Sequence, residues 1–174
     1  MEGNSFSKEI FSWILTIALA VALALVIRIF LFEIVQVQQT SMVPTLNDSD
    51  RVLVSNITYR ISDPEFQDIA VIQIDEHTRY VKRVIGMPGD TVEIRNSTVY
   101  VNGEKINEPY LADNLYYDDY PLTKVPDGYY FMMGDNRPSS IDSRDPSIGL
   151  ISRDQFRSKV KFRVIPFSAF GSVN

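Results

Sequence analysis

The chain has 174 residues, a net charge of −5, one histidine and no cysteine. That length suits one domain plus an appendage, and the acidic balance, without any basic run, argues against nucleic acid as a partner. The lack of cysteine excludes a disulfide framework and a thiol nucleophile, and a lone histidine leaves no cluster from which to build a metal site.

Residues 10–32 are almost wholly apolar, interrupted only by Ser12, Thr16 and Arg28. As a helix rising ~1.5 Å per residue the run spans ~34 Å, enough for the ~30 Å core of a bilayer. Trp13 suits an interface near one end, and the stem of Arg28 is expected to snorkel towards headgroups near the other. A cleavable signal peptide has a shorter apolar core, about 7–15 residues. Here the cleavage-like triplets Ala18-Leu19-Ala20 and Ala22-Leu23-Ala24 lie inside the run. A buried soluble helix keeps a polar face, and this one has none. The run therefore reads as a retained single-pass transmembrane helix, with a short tail over residues 1–9 and a polar domain over residues 33–174. Lys8, set against Glu2 and Glu9, encodes no clear orientation.

The polar domain reads mainly as strands. Residues 33–38 alternate Ile34, Val35 and Val37 with polar neighbours, and residues 51–54 and 70–74 are short β-branched runs. Residues 78–85 alternate so that Tyr80, Lys82 and Val84 share one face while Val81, Arg83 and Ile85 share the other. Pro88-Gly89 has the order of a type II turn. Strands are predicted over 91–94 and 98–101, with Asn102-Gly103 as a type I′ hairpin signal before 104–106. Residues 107–124 read as loop, 129–133 as a strand, 154–158 as a short helical turn and 160–167 as the last strand. Short strands with frequent turn signals predict a mainly β, antiparallel ectodomain.

Three segments carry candidate chemistry. Ser41 lies in Thr40-Ser41-Met42-Val43-Pro44-Thr45-Leu46, where Pro44 excludes a regular helix and Met42 and Leu46 supply apolar anchors. The bland alternative is a turn serine capping a backbone N–H. Lys82 sits inside an otherwise apolar strand, where it either snorkels or is buried for a reason. At an ordinary pKa of ~10.4 only ~1 lysine in 2,500 is neutral at pH 7, and lowering that pKa to ~7.5 costs roughly 4 kcal/mol. A fold carries such a penalty mainly where function uses the neutral amine. The third segment, residues 134–144, is polar, and Asp135, Arg137, Asp142 and Arg144 are suited to locking it by bidentate ion pairs. The histidine, His77, reads as part of an exposed turn and a poor centre for a Ser-His-Asp triad. Residues 86–90 lack the Lys-Ser/Thr ending of a phosphate loop, so no cofactor is expected.

Taken in order, these segments resemble the motif boxes of the type I (leader) signal peptidases in their Gram-positive form. Residues 41–46 are similar to the nucleophile box, 50–54 to the strand after it, 80–90 to the general-base box and 134–144 to the box completing the site. The resemblance implies a membrane-bound serine endopeptidase that removes signal peptides from exported precursor proteins with a Ser/Lys dyad and no cofactor. It further implies an extracytoplasmic catalytic domain, the lipid bilayer as surroundings and the protein-export translocon as a partner. It makes Ser41 the nucleophile, Lys82 the base and Ser140 the hydroxyl orienting the amine. Asp142 and Arg144 match an ion pair shaping the site, with Asp135 and Arg137 structural. Val35, Val37, Met42, Leu46, Tyr80 and Val81 match walls of pockets for small residues at the −1 and −3 positions. The chain departs at Gln39, where some members carry a serine that helps bind the oxyanion. A soluble self-cleaving Ser/Lys peptidase would lack the anchor, and a non-catalytic partner in pilin assembly would have lost the serine or the lysine.

Overall fold

The computed structural model describes residues 3–173, with the backbone alone at 3–7 and 26–30. The expected snorkelling of Arg28 lies outside the described residues. A 28-residue helix, α1 (Gly3–Phe30), runs into strand β1 (Phe32–Gln36). The helix thus starts ahead of the apolar run, within the expected tail, and stops before its end. Phe32 is already paired with Ser55, so the alternating 32–36 pattern wins over helical continuation. The window Lys8–Leu25 has a mean hydropathy of 1.8 and none of it is covered by protein. A helix apolar on every face and uncovered by the domain has the composition of a membrane span.

Next come β2 (Arg51–Ser55), the single turn α2 (Thr58–Ile61), β3 (Ile69–Gln73) and β4 (Arg79–Gly86). Strands β5 (Thr91–Arg95), β6 (Thr98–Val101), β7 (Glu104–Lys105) and β8 (Tyr120–Lys124) follow. The chain finishes with β9 (Tyr129–Met133), β10 (Ile151–Ser152), β11 (Phe156–Ile165) and β12 (Gly171–Ser172). The fold is mainly β, and the described strand pairs are antiparallel. The larger sheet has the order β1-β2-β11-β3-β4-β9-β10, with β12 on β11; the smaller is β7-β6-β5-β8.

Turn chemistry places several strand ends. Gly89 has φ +90° and the Asp90 N–H donates to the Met87 carbonyl at 3.0 Å, as a type II turn requires. Asn102 and Gly103, at φ +55° and +82°, close the β6–β7 hairpin. Asn96 and Ser97, also at positive φ, close β5–β6 without a glycine.

Three expectations change. Residues 120–124, read as loop, form β8 on the edge of the small sheet, where Pro121 is tolerated because it falls in the irregular stretch of the pairing with β5, between Tyr120 and Thr123. The last long strand begins at Phe156, so residues 156–158 are extended; the helical turn falls at Arg153–Gln155, capped by Ser152 and Gln155. A further short strand, β12, follows it.

The core divides around β4. Tyr80 and Val84 pack with Ala70, Ile72, Tyr130 and Met132, whereas Val81 packs against Val37, Met42, Leu46 and Val71. Strand β9 pairs with β4 only from Arg83 onward. Residues 79–82 therefore keep one strand edge unpaired among the described residues, and β1 ends the sheet order with another.

Candidate active site

Ser41 belongs to a turn that the sequence pins from below. Met42 and Leu46 are 1% and 0% exposed, while Ser41 stays half-buried at the surface of a cleft. The Leu46 N–H donates to the Met42 carbonyl at 2.8 Å, which closes the turn. From the opposite side, the Asn136 N–H donates to the Ser41 carbonyl at 3.0 Å and the Asn136 amide to the Thr40 carbonyl at 3.1 Å. Thr45 donates its hydroxyl to Asp135. Residues 40–45 and 134–144 are thus one hydrogen-bonded unit.

Gly134 explains how closely they approach. A Cβ at this position would lie 2.2 Å from the Ser140 hydroxyl oxygen and 2.4 Å from the Ser41 carbonyl oxygen. Only a glycine leaves room for both on the same side of its backbone.

Lys82 is 3% exposed, and its Nζ donates to Ser140 Oγ at 3.0 Å. Burial is the main influence on the amine and pushes its pKa down to about 8; Asp142 opposes the shift, Arg144 assists it and Asp135 opposes it. The Tyr80 ring centroid lies 5.4 Å from Nζ. The lysine therefore snorkels nowhere, and its stem and amine are both inside the protein.

The charged residues of 134–144 divide their partners. Arg144 binds Asp142 through two bonds, Nε to Oδ1 and Nη2 to Oδ2, each 2.8 Å. Burial alone would raise the Asp142 carboxyl, but the Arg144 guanidinium, the Gly134 N–H and the Ser140 hydroxyl outweigh it and hold the carboxyl below its usual range. Asp135 and Arg137 find partners outside the segment, contrary to the expectation of pairs within it. Asp135 receives Arg83 at 2.9 and 2.8 Å, and Arg137 is paired with Glu108. Arg83, Glu108, Thr45 and Asn136 were not singled out from the sequence. Only Arg83 left a signal there, as a charge on the second apolar face of β4.

Val35, Val37, Met42, Tyr80 and Val81 line a cleft of about 620 Å³ that also reaches Ser41. Leu46, expected in the same wall, lies in the core beneath it and is not among the lining residues. Gln39 lines the cleft at φ +84°, with its backbone N–H donated to Asp48 Oδ1 at 2.9 Å. That N–H is occupied, so any oxyanion contact from this residue falls to the side-chain amide. His77 reaches the cleft rim from the exposed β3–β4 turn, and Asp75 accepts its backbone N–H at 2.8 Å.

This arrangement holds a buried amine of lowered pKa against the Ser140 hydroxyl, and sets a pinned serine in a cleft of mixed polar and apolar lining that runs along the free strand edges. Residues 10–165 match the family described as Signal peptidase, peptidase S26. A signal peptidase I of Bacillus licheniformis is 43% identical, with 96% of each chain covered. Signal peptidase I S of Bacillus subtilis (strain 168) is 42% identical, over 99% of this chain and 98% of its own. Signal peptidase IB of Staphylococcus aureus (strain COL) is 41% identical, over 94% and 93%. A crystal structure of a signal peptidase I from Enterococcus faecalis is 34% identical, covers 56% of this chain and 97% of its own, and gives a TM-score of 0.49. The chain belongs to the signal peptidase family, peptidase S26.

Proposed function

We propose that this chain is a membrane-anchored serine endopeptidase that removes signal peptides from exported precursors, with Ser41 as nucleophile and Lys82 as general base. The burial of the Lys82 amine carries the reading. At a pKa of about 8 roughly one amine in ten is neutral at pH 7. An ordinary lysine would offer too little neutral base to matter.

The catalytic cycle follows from the groups present. A neutral amine has two N–H bonds and one lone pair; donating one hydrogen to Ser140 orients the lone pair. Lys82 takes the Ser41 proton as Oγ bonds to the scissile carbonyl carbon. Collapse of the tetrahedral adduct breaks the C–N bond, and the Lys82 ammonium returns the proton to the departing amine. Water then attacks the acyl ester, giving its proton to Lys82, and the same proton restores the Ser41 hydroxyl. The Ser41 backbone N–H and the Gln39 side-chain amide are the donors offered to the oxyanion.

Substrate enters as an extended segment between the free edges of β1 and residues 79–82 of β4, exchanging main-chain hydrogen bonds with both. Side chains at −1 and −3 then face Val35, Val37, Met42, Tyr80 and Val81, an apolar wall suited to small residues. Helix α1 anchors the domain in the lipid bilayer on the extracytoplasmic side, where precursors emerge from the protein-export translocon. Asp142 and Arg144 keep residues 140–144 in shape, while Asp135 and Arg137 tie the segment to its neighbours. Full-chain protein in vesicles, assayed on a purified precursor, tests the reading. Ser41→Ala and Lys82→Ala are each expected to abolish cleavage while the domain stays folded, and cleavage by either variant would refute the dyad.

A further inference from the structure

The connection between β7 and β8, read from the sequence as plain loop, contacts the arginines that brace the site. Glu108 is paired with Arg137, accepting Nη1 at 3.3 Å and Nη2 as well, in a contact where the two side chains are 10% and 0% exposed. Tyr110 donates its hydroxyl to the same carboxylate at 2.9 Å. The Arg83 guanidinium lies over the Tyr110 ring, its carbon 3.7 Å from the centroid. The Asn107 carbonyl accepts the Gln67 amide at 2.9 Å, and the Gln67 carbonyl accepts Arg83 Nη1 at 3.1 Å. Tyr110 also lines a shallow surface pocket with Pro44 and Thr45, which follow Ser41 in the same turn. Tyr117 closes the far end, accepting Arg137 Nη1 at 3.2 Å.

The two arginines held in this way brace the two segments that carry Lys82 and Ser140. Arg83 follows Lys82 in β4 and is bidentate to Asp135. Arg137 donates its Nε to the Gly134 carbonyl at 3.1 Å, and its own carbonyl accepts Arg144 Nη2 at 2.8 Å. Residues 134–140, which carry the Ser140 hydroxyl, are therefore fastened through Arg137. A buried guanidinium that loses its carboxylate leaves an uncompensated charge, so the segment would rearrange rather than merely lose one contact.

We propose that residues 107–117 form a positioning strap for the catalytic centre, with Glu108 and Tyr110 as positioning residues that hold Arg137 and Arg83, and through them keep the Ser140 hydroxyl against the Lys82 amine. The strap touches no reacting atom. It acts by keeping the amine aimed and dry, and rests on Lys82 being the general base. The groups facing that amine are the Ser140 hydroxyl, the Asp142–Arg144 pair and Asp135 from the 134–144 segment, and the Tyr80 ring from its own strand. Ala70, opposite on β3, adds no charge. Burial keeps the Tyr110 phenol protonated well above its usual range, so removing it changes no charge near the site.

The test uses full-chain enzyme in vesicles with a fluorogenic precursor peptide, comparing Tyr110→Leu, Tyr110→Phe and Glu108→Gln. Tyr110→Leu is expected to lower kcat about tenfold or more with KM within about twofold, as a misaimed base does. Water reaching the amine should also raise the midpoint of its pH–rate profile by about half a unit or more. Tyr110→Phe, which keeps the ring on Arg83, should return most of the lost rate. Glu108→Gln should share the kcat loss; if it fails to fold, the two tyrosine variants decide. A Tyr110→Leu enzyme whose midpoint is unmoved, or whose loss equals its unfolded fraction, overturns the strap. The dyad is judged separately by Lys82→Ala: an inactive Lys82→Ala with an unmoved Tyr110→Leu midpoint sinks the strap alone, whereas an active Lys82→Ala sinks the base assignment.

Discussion

The Lys82 amine donates to the Ser140 hydroxyl at 3.0 Å, a bond that ties an interior strand to a loop 58 residues further along the chain. Two consequences follow. The amine gains an orientation that a free four-carbon stem would not keep, and the loop gains a dependence on the strand. Activity should therefore respond both to the protonation of Lys82 and to the presence of Ser140.

The pH dependence has a definite sign. Only the neutral amine accepts the Ser41 proton, so kcat/KM is expected to climb with pH and level off above the Lys82 pKa of about 8. A profile measured on a peptide from pH 6 to 10 checks this, and a rate independent of pH over that range contradicts a titrating lysine base. Ser140→Ala should leave the amine buried but unaimed, lowering kcat about a hundredfold with little change in KM.

The same burial predicts a stability effect of opposite benefit. The folded-state pKa of Lys82 is depressed below its unfolded value, so the unfolded chain binds the extra proton between the two values. The charged amine therefore weakens the fold fully below about pH 8, and the penalty fades as pH rises towards 10.5. At 1.36 kcal/mol per unit, Lys82→Met should stabilise the domain by ~3 kcal/mol at pH 6 and by little at pH 10.5. Urea unfolding of the wild type and variant at the two pH values measures the difference, and equal gains at both would contradict a buried, depressed amine.

Gly134 permits a contact that no other residue does. Its added Cβ would fall 2.2 Å from Ser140 Oγ and 2.4 Å from the Ser41 carbonyl. Gly134→Ala must therefore push apart the two segments that bear the proposed nucleophile and the orienting hydroxyl. A loss of about 1–3 kcal/mol in stability is expected for such overpacking. The loss of kcat should be much larger than that shift would cause, because the domain remains mostly folded. Activity that falls only in proportion to the unfolded fraction would show that the close approach has no catalytic use.

How much of this was legible in the sequence depended on the range of each interaction. The β4 alternation, the Pro88-Gly89 turn and the Asn102-Gly103 hairpin are local, set by side-chain period and backbone φ, and could be read directly. The Asp142–Arg144 contact spans two residues, so its geometry is also local. The partners of Asp135 and Arg137 lie 52 and 29 residues away, and nothing in the composition of 134–144 distinguishes Arg83 and Glu108 from other charges. Strand β8 was hidden by Pro121 and by the tyrosine- and aspartate-rich run before it, which has turn composition although its backbone continues into an edge strand. The ends of helix α1, Gly3 and Phe30, differ from those of the apolar run for a related reason. Hydropathy marks where lipid can be tolerated, whereas Phe32 leaves the helix because Ser55 offers it a strand partner.

Cleft shape gives the last prediction. Met42 is 1% exposed, so it both supports the turn carrying Ser41 and closes the wall shared with Val35 and Val81. Met42→Ala would open space there, partly filled by relaxation of Leu46 beneath it. The truncation should destabilise the domain by about 2–5 kcal/mol. It should also relax selection at the −1 or −3 position, since a methylene in an apolar pocket discriminates by only ~1–3 kcal/mol. Competition assays on peptides differing only by Ala, Ser, Val or Leu at each position report the change as ratios of kcat/KM. If the larger residues gain nothing at either position, Met42 serves the turn alone, and the walls that select small side chains lie with Val35, Tyr80 and Val81.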